Sequence, residues 1–143
     1  MNLQQNISAL SLPRLIIINN QLDNLKYADI GLLLSSSIEH SISNKHLAMI
    51  ANDALDEIIK KNISHDQNIG DYIALCYIGI LFEPSLCLNL QEKFRIWTKT
   101  FTLIINNSEG TITNNIFYLA NAKTESYSIN LSNIPYNIIS YEI

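Results

Sequence analysis

Charge, proline, glycine, cysteine and basic residues are all scarce in this sequence, and each shortage closes a class of explanation. Charged residues make up 15% of the 143, and three prolines with four glycines leave no room for a disordered linker. The length suits one α/β domain over residues 1–143, able to build a core without metal or disulfide support. The two cysteines, Cys76 and Cys87, belong to no CxxC and have no histidine at metal spacing, so both read as reduced core residues. Lys and Arg number nine against thirteen acids, for a net charge of −4 and a pI near 5.2. Phosphate neutralisation needs clustered cations, so no direct nucleic-acid binding is expected. No run reaches the roughly 18 apolar residues of a membrane span, and no charged segment precedes an apolar one at the start. A cytoplasmic protein with no membrane contact is the expectation. Valine is missing altogether beside 25 isoleucines and 18 asparagines, a skew of coding composition from which no function follows.

What is present centres on DYIALCYIGILFEPSL, Asp71 to Leu86. Eleven uncharged residues from Tyr72 to Phe82 lie between Asp71 and Glu83, too short to span a bilayer and too apolar for a surface. The run reads as a strand buried on both faces, of the kind found in the middle of a parallel sheet covered by helices.

Before it, Leu3, Ile7 and Leu10 predict a short amphipathic helix over 2–12, ended by Pro13, and Arg14 to Asn19 predicts the first core strand. Asn20 to Ala28 is short for a parallel crossover. Either a single-turn helix on Leu22 and Leu25 makes the connection, or the first two strands are not neighbours. Asp29 to Leu34 reads as a second strand. Ser36 with Glu39 resembles a capping box, and the helix that starts there or at Ser43 is expected to reach Lys61. Its stripe of Leu47, Ile50, Ala51, Ala54, Leu55, Ile58 and Ile59 lies opposite Asp53, Asp56, Glu57 and Lys60. Asn62 to Gly70 reads as a polar loop.

After the central run, Asn89 and Glu92 signal another helix start, with Leu90, Phe94 and Trp97 inward and an end near Lys99. Thr100 to Ile105 is a strand, and Asn106 to Gly110 a turn. Asn115 to Ala120, Tyr127 to Leu131 and Asn137 to Ile143 are β-like runs expected to add antiparallel strands at one sheet edge. The fold class is therefore three-layer α/β: a mainly parallel sheet, helices on both faces and a C-terminal antiparallel extension.

Chemistry is harder to find. His40 and His46 are six apart and do not share a helix face, and no histidine has metal-site spacing. No GxSxG elbow supports a hydrolase. The acids Asp53, Asp56 and Glu57 fall on the face that meets water. Ligands in an open α/β sheet sit outside the carboxyl ends of the strands. Glu83, Asn106 and Asn107 follow two such ends and could edge a common crevice; alternatively Glu83 caps a turn and the asparagines form the next one.

The run ALCYIGILFEPSL, followed by a helix, TFTLIINNSEG and NIFYLANA, resembles the C-terminal half of the small P-loop protein of the BREX phage-defence systems. ADIGLLLSSSIEH and the long helix also fall where that family has a strand and a Leu-rich helix, so the likeness covers Ala28 to Ala122. The resemblance implies a P-loop-like sheet. Two departures accompany it. The Walker B aspartate falls on Cys76, a soft thiol unsuited to Mg²⁺. Between Asn19 and Ala28 there is no GxxxxGK[ST] loop to cradle phosphates. The implied protein is a degenerate nucleotidase that is not an enzyme, holds no cofactor or metal, and acts by binding a larger protein within a phage-defence assembly. The alternatives are a nucleotide binder with an unorthodox site at Glu83, Asn106 and Asn107, or a small acidic binding subunit such as a clamp-loader accessory or secretion chaperone.

Overall fold

Leu15–Ile18 (β1) is an unbroken apolar run that a strand can bury only inside a sheet, and it lies between two parallel neighbours, Thr102–Asn106 (β5) and Tyr136–Ile139 (β9). In this computed structural model, which describes residues 14–18, 25–106, 110–119 and 128–139, all four β1 residues are buried. Each buried Leu or Ile contributes roughly 2 kcal/mol. The sheet continues through β5 to Gly70–Cys76 (β4) and Tyr27–Asp29 (β2), giving the parallel order β2-β4-β5-β1-β9. Ser64–Asp66 (β3) pairs antiparallel with the start of β4, so β2 and β3 divide that strand's outer edge. The first two strands are thus separated by β4 and β5. The expected helix over 2–12, its stop at Pro13, the 19–24 connector and Asn107 lie outside the described residues.

Asp29 to Leu34 is not a strand. The strand stops at Asp29, whose carboxylate accepts from the Leu32 N–H at 2.9 Å and caps helix α1, Ile30–Ile38. Ile30, Leu34 and Ile38 recur every four residues and are buried, which is helical and not alternating spacing. Ser36 therefore lies inside α1, and Glu39 opens the 3₁₀ turn Glu39–Ser41 instead of closing a capping box. The long helix begins later than expected, as α2, Leu47–Lys61. It buries Ala51, Leu55, Ile58 and Ile59 and leaves Asp53, Asp56, Glu57 and Lys60 exposed, as its stripe requires.

The polar loop after α2 is a hairpin. Asp66 accepts from the N–H groups of Asn68 (2.7 Å) and Ile69 (3.0 Å), and Gly70 supplies the φ of 83° that re-enters the sheet. The central run then divides. β4 ends at Cys76, Tyr77 adopts a left-handed conformation (φ 55°, ψ 53°), and Ile78–Phe82 winds into a 3₁₀ turn. That turn buries Ile78, Leu81 and Phe82, which a strand would have spread over two faces. A short apolar run does not by itself distinguish the two outcomes. Helix α3, Leu90–Thr100, follows the expectation: Asn89 Oδ1 accepts from the Glu92 N–H at 3.2 Å, and Leu90, Phe94 and Trp97 are buried.

Among the described residues, the last third adds no antiparallel strands to the main sheet. Thr111–Thr113 (β6), Ile116–Tyr118 (β7) and Ser128–Asn130 (β8) form their own three-stranded antiparallel meander, while β9 joins β1 in parallel. The connection from β5 to β9 must pass β1, and its length gives the meander room to fold on the way. Side chains alternate across the main sheet. Leu15, Ile17, Ile73, Leu75, Leu103 and Ile105 face a large cluster that takes in the buried stripes of the three described helices, Phe117 and Ile129. Ile16, Ile18, Tyr72, Ala74 and Ile104 face a smaller one with Leu25. Among the described residues, then, every helix packs on one face, where helices on both were expected.

Candidate functional site

Strand order locates the crevice. The chain leaves β1 toward β2 on one side and leaves β5 toward β9 on the other, so the connections diverge at the carboxyl ends of two adjacent strands. Such a switch point is where open α/β sheets take ligands. Ile18 pairs with Asn106 at that point, and Asp29 pairs with Cys76 farther along. Leu75 pairs with Ile105, so Cys76 and Asn106 stand one residue beyond that pair. Asp29, Cys76, Asn106 and Ile18 therefore form one row across four strands.

The row's polar groups are differently engaged. Asp29 is committed to capping α1. Cys76 is partly buried, and its Sγ–H donates to the Ala28 carbonyl at 3.6 Å. Burial, and secondarily the charge of Asp29, pushes its thiol above the ordinary value. Asn106 is half-buried. Immediately past Cys76, Tyr77 is 72% exposed in its left-handed conformation. Its carbonyl lies over Gly31 in the first turn of α1, and the next residue, Leu32, is 63% exposed. Two large apolar side chains thus stand open beside the row.

Of the residues expected to form a crevice, Asn106 lies at the switch point and Asn107 is outside the described residues. Glu83 is exposed and borders a separate cleft of about 290 Å³ between the 3₁₀ turns Ile78–Phe82 and Pro84–Leu86, the start of α3 and β8, together with Cys87, Asn89, Gln91 and Asn130. Asn106 does not line that cleft. Sequence reasoning missed Asp29 and Tyr77. The signal for Asp29 was an Asp immediately before the Ile30, Leu34, Ile38 stripe; a left-handed Tyr has none.

The histidines are dispersed. His40 neighbours Glu39, His65 Nδ1 meets Asp71 Oδ1 at 3.0 Å, and His46 is exposed. Among the described residues no group of three His, Cys, Asp or Glu converges as a metal site would require. Two of the acids of α2 are engaged at the surface, Asp56 with Lys93 and Glu57 with Lys61. No described helix is long and apolar enough to cross a membrane. No protein-family model, curated protein or solved structure matches this chain.

Proposed function

We propose that this chain is a degenerate, non-catalytic nucleotidase-like domain that binds a larger protein through the carboxyl edge of its sheet, within a phage-defence assembly of the BREX type. The strand order supports the P-loop-like part of this reading. Numbered along the chain, the parallel strands run 2-3-4-1-5. The strand after which the resembled family carries its phosphate loop, β1, is one strand removed from β4, whose end corresponds to the family's metal acid. The residues at those ends support the loss of chemistry. Cys76 is a thiol hydrogen-bonded to a backbone carbonyl, and the sequence after β1 reads NNQLDNLKYA, with no glycine to wrap phosphate.

The observation that carries the partner reading is Tyr77. A bulky residue held left-handed costs roughly 1–2 kcal/mol, and sites that keep such strain cluster where a ligand or partner is held. Here the strained residue is exposed at the ligand edge of the sheet beside Leu32. Tyr77→Gly separates fold from function, because glycine adopts this conformation freely and the lost side chain is mostly in water. The variant is expected to fold with unchanged or higher stability and to lose the protein that co-purifies with the wild type from its own cells. A Y77G protein that keeps its partner defeats the reading. Calorimetry is expected to give no saturable ATP binding that depends on Mg²⁺, and Mg²⁺-dependent binding that survives Arg14→Gln and Lys99→Gln would refute the degenerate assignment.

A second reading, a nucleotide binder with an unorthodox site, is favoured by Asn106 alone, a half-buried amide at the switch point. It requires a thermal shift with ATP that Asn106→Ala abolishes.

A further inference from the structure

The opposite edge of the sheet holds a second concavity that its topology assembles from three distant stretches. Arg14 precedes β1, Thr98 and Lys99 precede β5 at the end of α3, and Asn133 to Pro135 precede β9. Because β5, β1 and β9 are adjacent and parallel, their entries meet at the amino-terminal edge and enclose a pocket of about 330 Å³ with Arg95 at its side. Three of the chain's nine cations line it, in a protein of net charge −4, and none of its described lining residues is acidic.

The charges are not all spent internally. Arg95 is tied to Glu92, with Nε 3.0 Å from Oε2 and a second contact from Nη2 to Oε1. Arg14 and Lys99 form no ion pair among the described residues. Lys99 is placed in the last turn of α3, where a cation complements the helix dipole. That does not account for Arg14, which is fixed by its own backbone: its carbonyl accepts from the Leu103 N–H at 2.8 Å. Ile134 and Pro135 give the pocket an apolar wall.

We propose that this pocket binds a small organic phosphate, its dianionic head between Arg14 and Lys99 and its organic body against Ile134 and Pro135. Ligand sites combine a mainly apolar wall with a few convergent polar groups in this way. A guanidinium fork beside an ammonium is suited to phosphate oxygens. The site is independent of the partner-binding edge proposed above, being at the other end of the strands.

The test is an amide-resolved NMR titration of the full chain with phenyl phosphate, inorganic phosphate and benzoate. Phenyl phosphate is expected to saturate, with shifts at Thr98, Lys99, Asn133 and Ile134, and inorganic phosphate to bind more weakly for want of the apolar contact. Arg14→Gln and Lys99→Gln, both at exposed positions, are expected to keep the wild-type melting temperature and each to weaken phenyl phosphate by about tenfold or more. Absence of saturation by about 10 mM phenyl phosphate, a concentration that would detect even millimolar affinity, overturns the proposal. So does affinity unchanged in both variants, or benzoate binding as tightly as phenyl phosphate.

Discussion

Gly31 lies so close beneath the carbonyl of Tyr77 that a Cβ on it would stand 3.0 Å from that oxygen and 3.3 Å from Asp29 Oδ1. Both neighbours are fixed, one as backbone in a left-handed residue and the other as the cap of α1. Replacing glycine by alanine in a helix normally gains up to about 1 kcal/mol. Here the methyl must displace the turn that ends the central strand, and Gly31→Ala is expected to destabilise the protein by about 1 kcal/mol. Urea unfolding reads the sign directly: a G31A variant more stable than wild type shows that the Tyr77 turn yields.

Lys93 joins α3 to α2. Its side chain is only 12% exposed, its Nζ is 2.8 Å from Asp56 Oδ1 on α2, and the ammonium lies 6.0 Å from the Trp97 ring centroid. Asp56 is mostly in water, so the ion pair alone is worth about 0.5 kcal/mol. The cation over the indole adds a similar amount. Lys93→Ala is expected to cost about 1 kcal/mol and Asp56→Ala about half that, with a double-mutant coupling near 0.5 kcal/mol that shrinks in 1 M salt. Zero coupling would leave Lys93 acting only through Trp97 and its own packed stem.

What the sequence discloses about this fold depends on how local the deciding interaction is. The stripe of α2, the Asn89 cap of α3 and the apolar run of β1 are decided within a few residues, and each is where its pattern puts it. Asp29 to Leu34 was ambiguous because the five uncharged residues after Asp29 suit a strand as well as a helix. A capping side chain decided it. The break at Tyr77 carries no local signal at all. Whether β9 pairs parallel with β1 or antiparallel at an edge is settled by packing between segments some 120 residues apart in sequence, by the register of Leu15 with Tyr136. The candidate sites divide the same way. Asn106 at a strand end could be read from the chain, whereas the pocket of Arg14, Lys99 and Pro135 exists only once three strand entries are adjacent.

The two thiols are expected to react at different rates. Both thiols donate to a backbone carbonyl, Cys87 to Pro84 at 3.3 Å and Cys76 to Ala28 at 3.6 Å, but Cys87 is exposed, whereas Cys76 is partly buried and has its pKa raised by burial and by Asp29. The thiolate is the nucleophile, so iodoacetamide should label Cys87 first and Cys76 at least about tenfold more slowly. Mass spectrometry of the partly labelled protein, with Cys87→Ser removing the fast phase, checks the order. The linkage has a definite sign. A folded pKa above the unfolded one gives stability that is complete below the unfolded value and lost as pH rises through the folded value. Wild type should therefore lose stability relative to Cys76→Ser as the pH climbs past the ordinary thiol range, and parallel profiles would remove the thiol as the cause.

Thr111, at the start of β6, has a buried hydroxyl with no hydrogen-bond partner among the described residues. A polar group left unsatisfied out of water costs about 1–3 kcal/mol. Valine has nearly the same shape, keeps the β-branch that suits a strand, and carries no hydroxyl to desolvate. The backbone pairing of Thr111 with Tyr118 does not involve the side chain and is retained. Thr111→Val is therefore expected to raise stability by about 1 kcal/mol, whereas Thr111→Ser keeps the unsatisfied group, loses a methyl, and should fall below wild type. Thermal unfolding of the pair tests the argument, because a hydroxyl that finds a partner in solution would make valine the destabilising member.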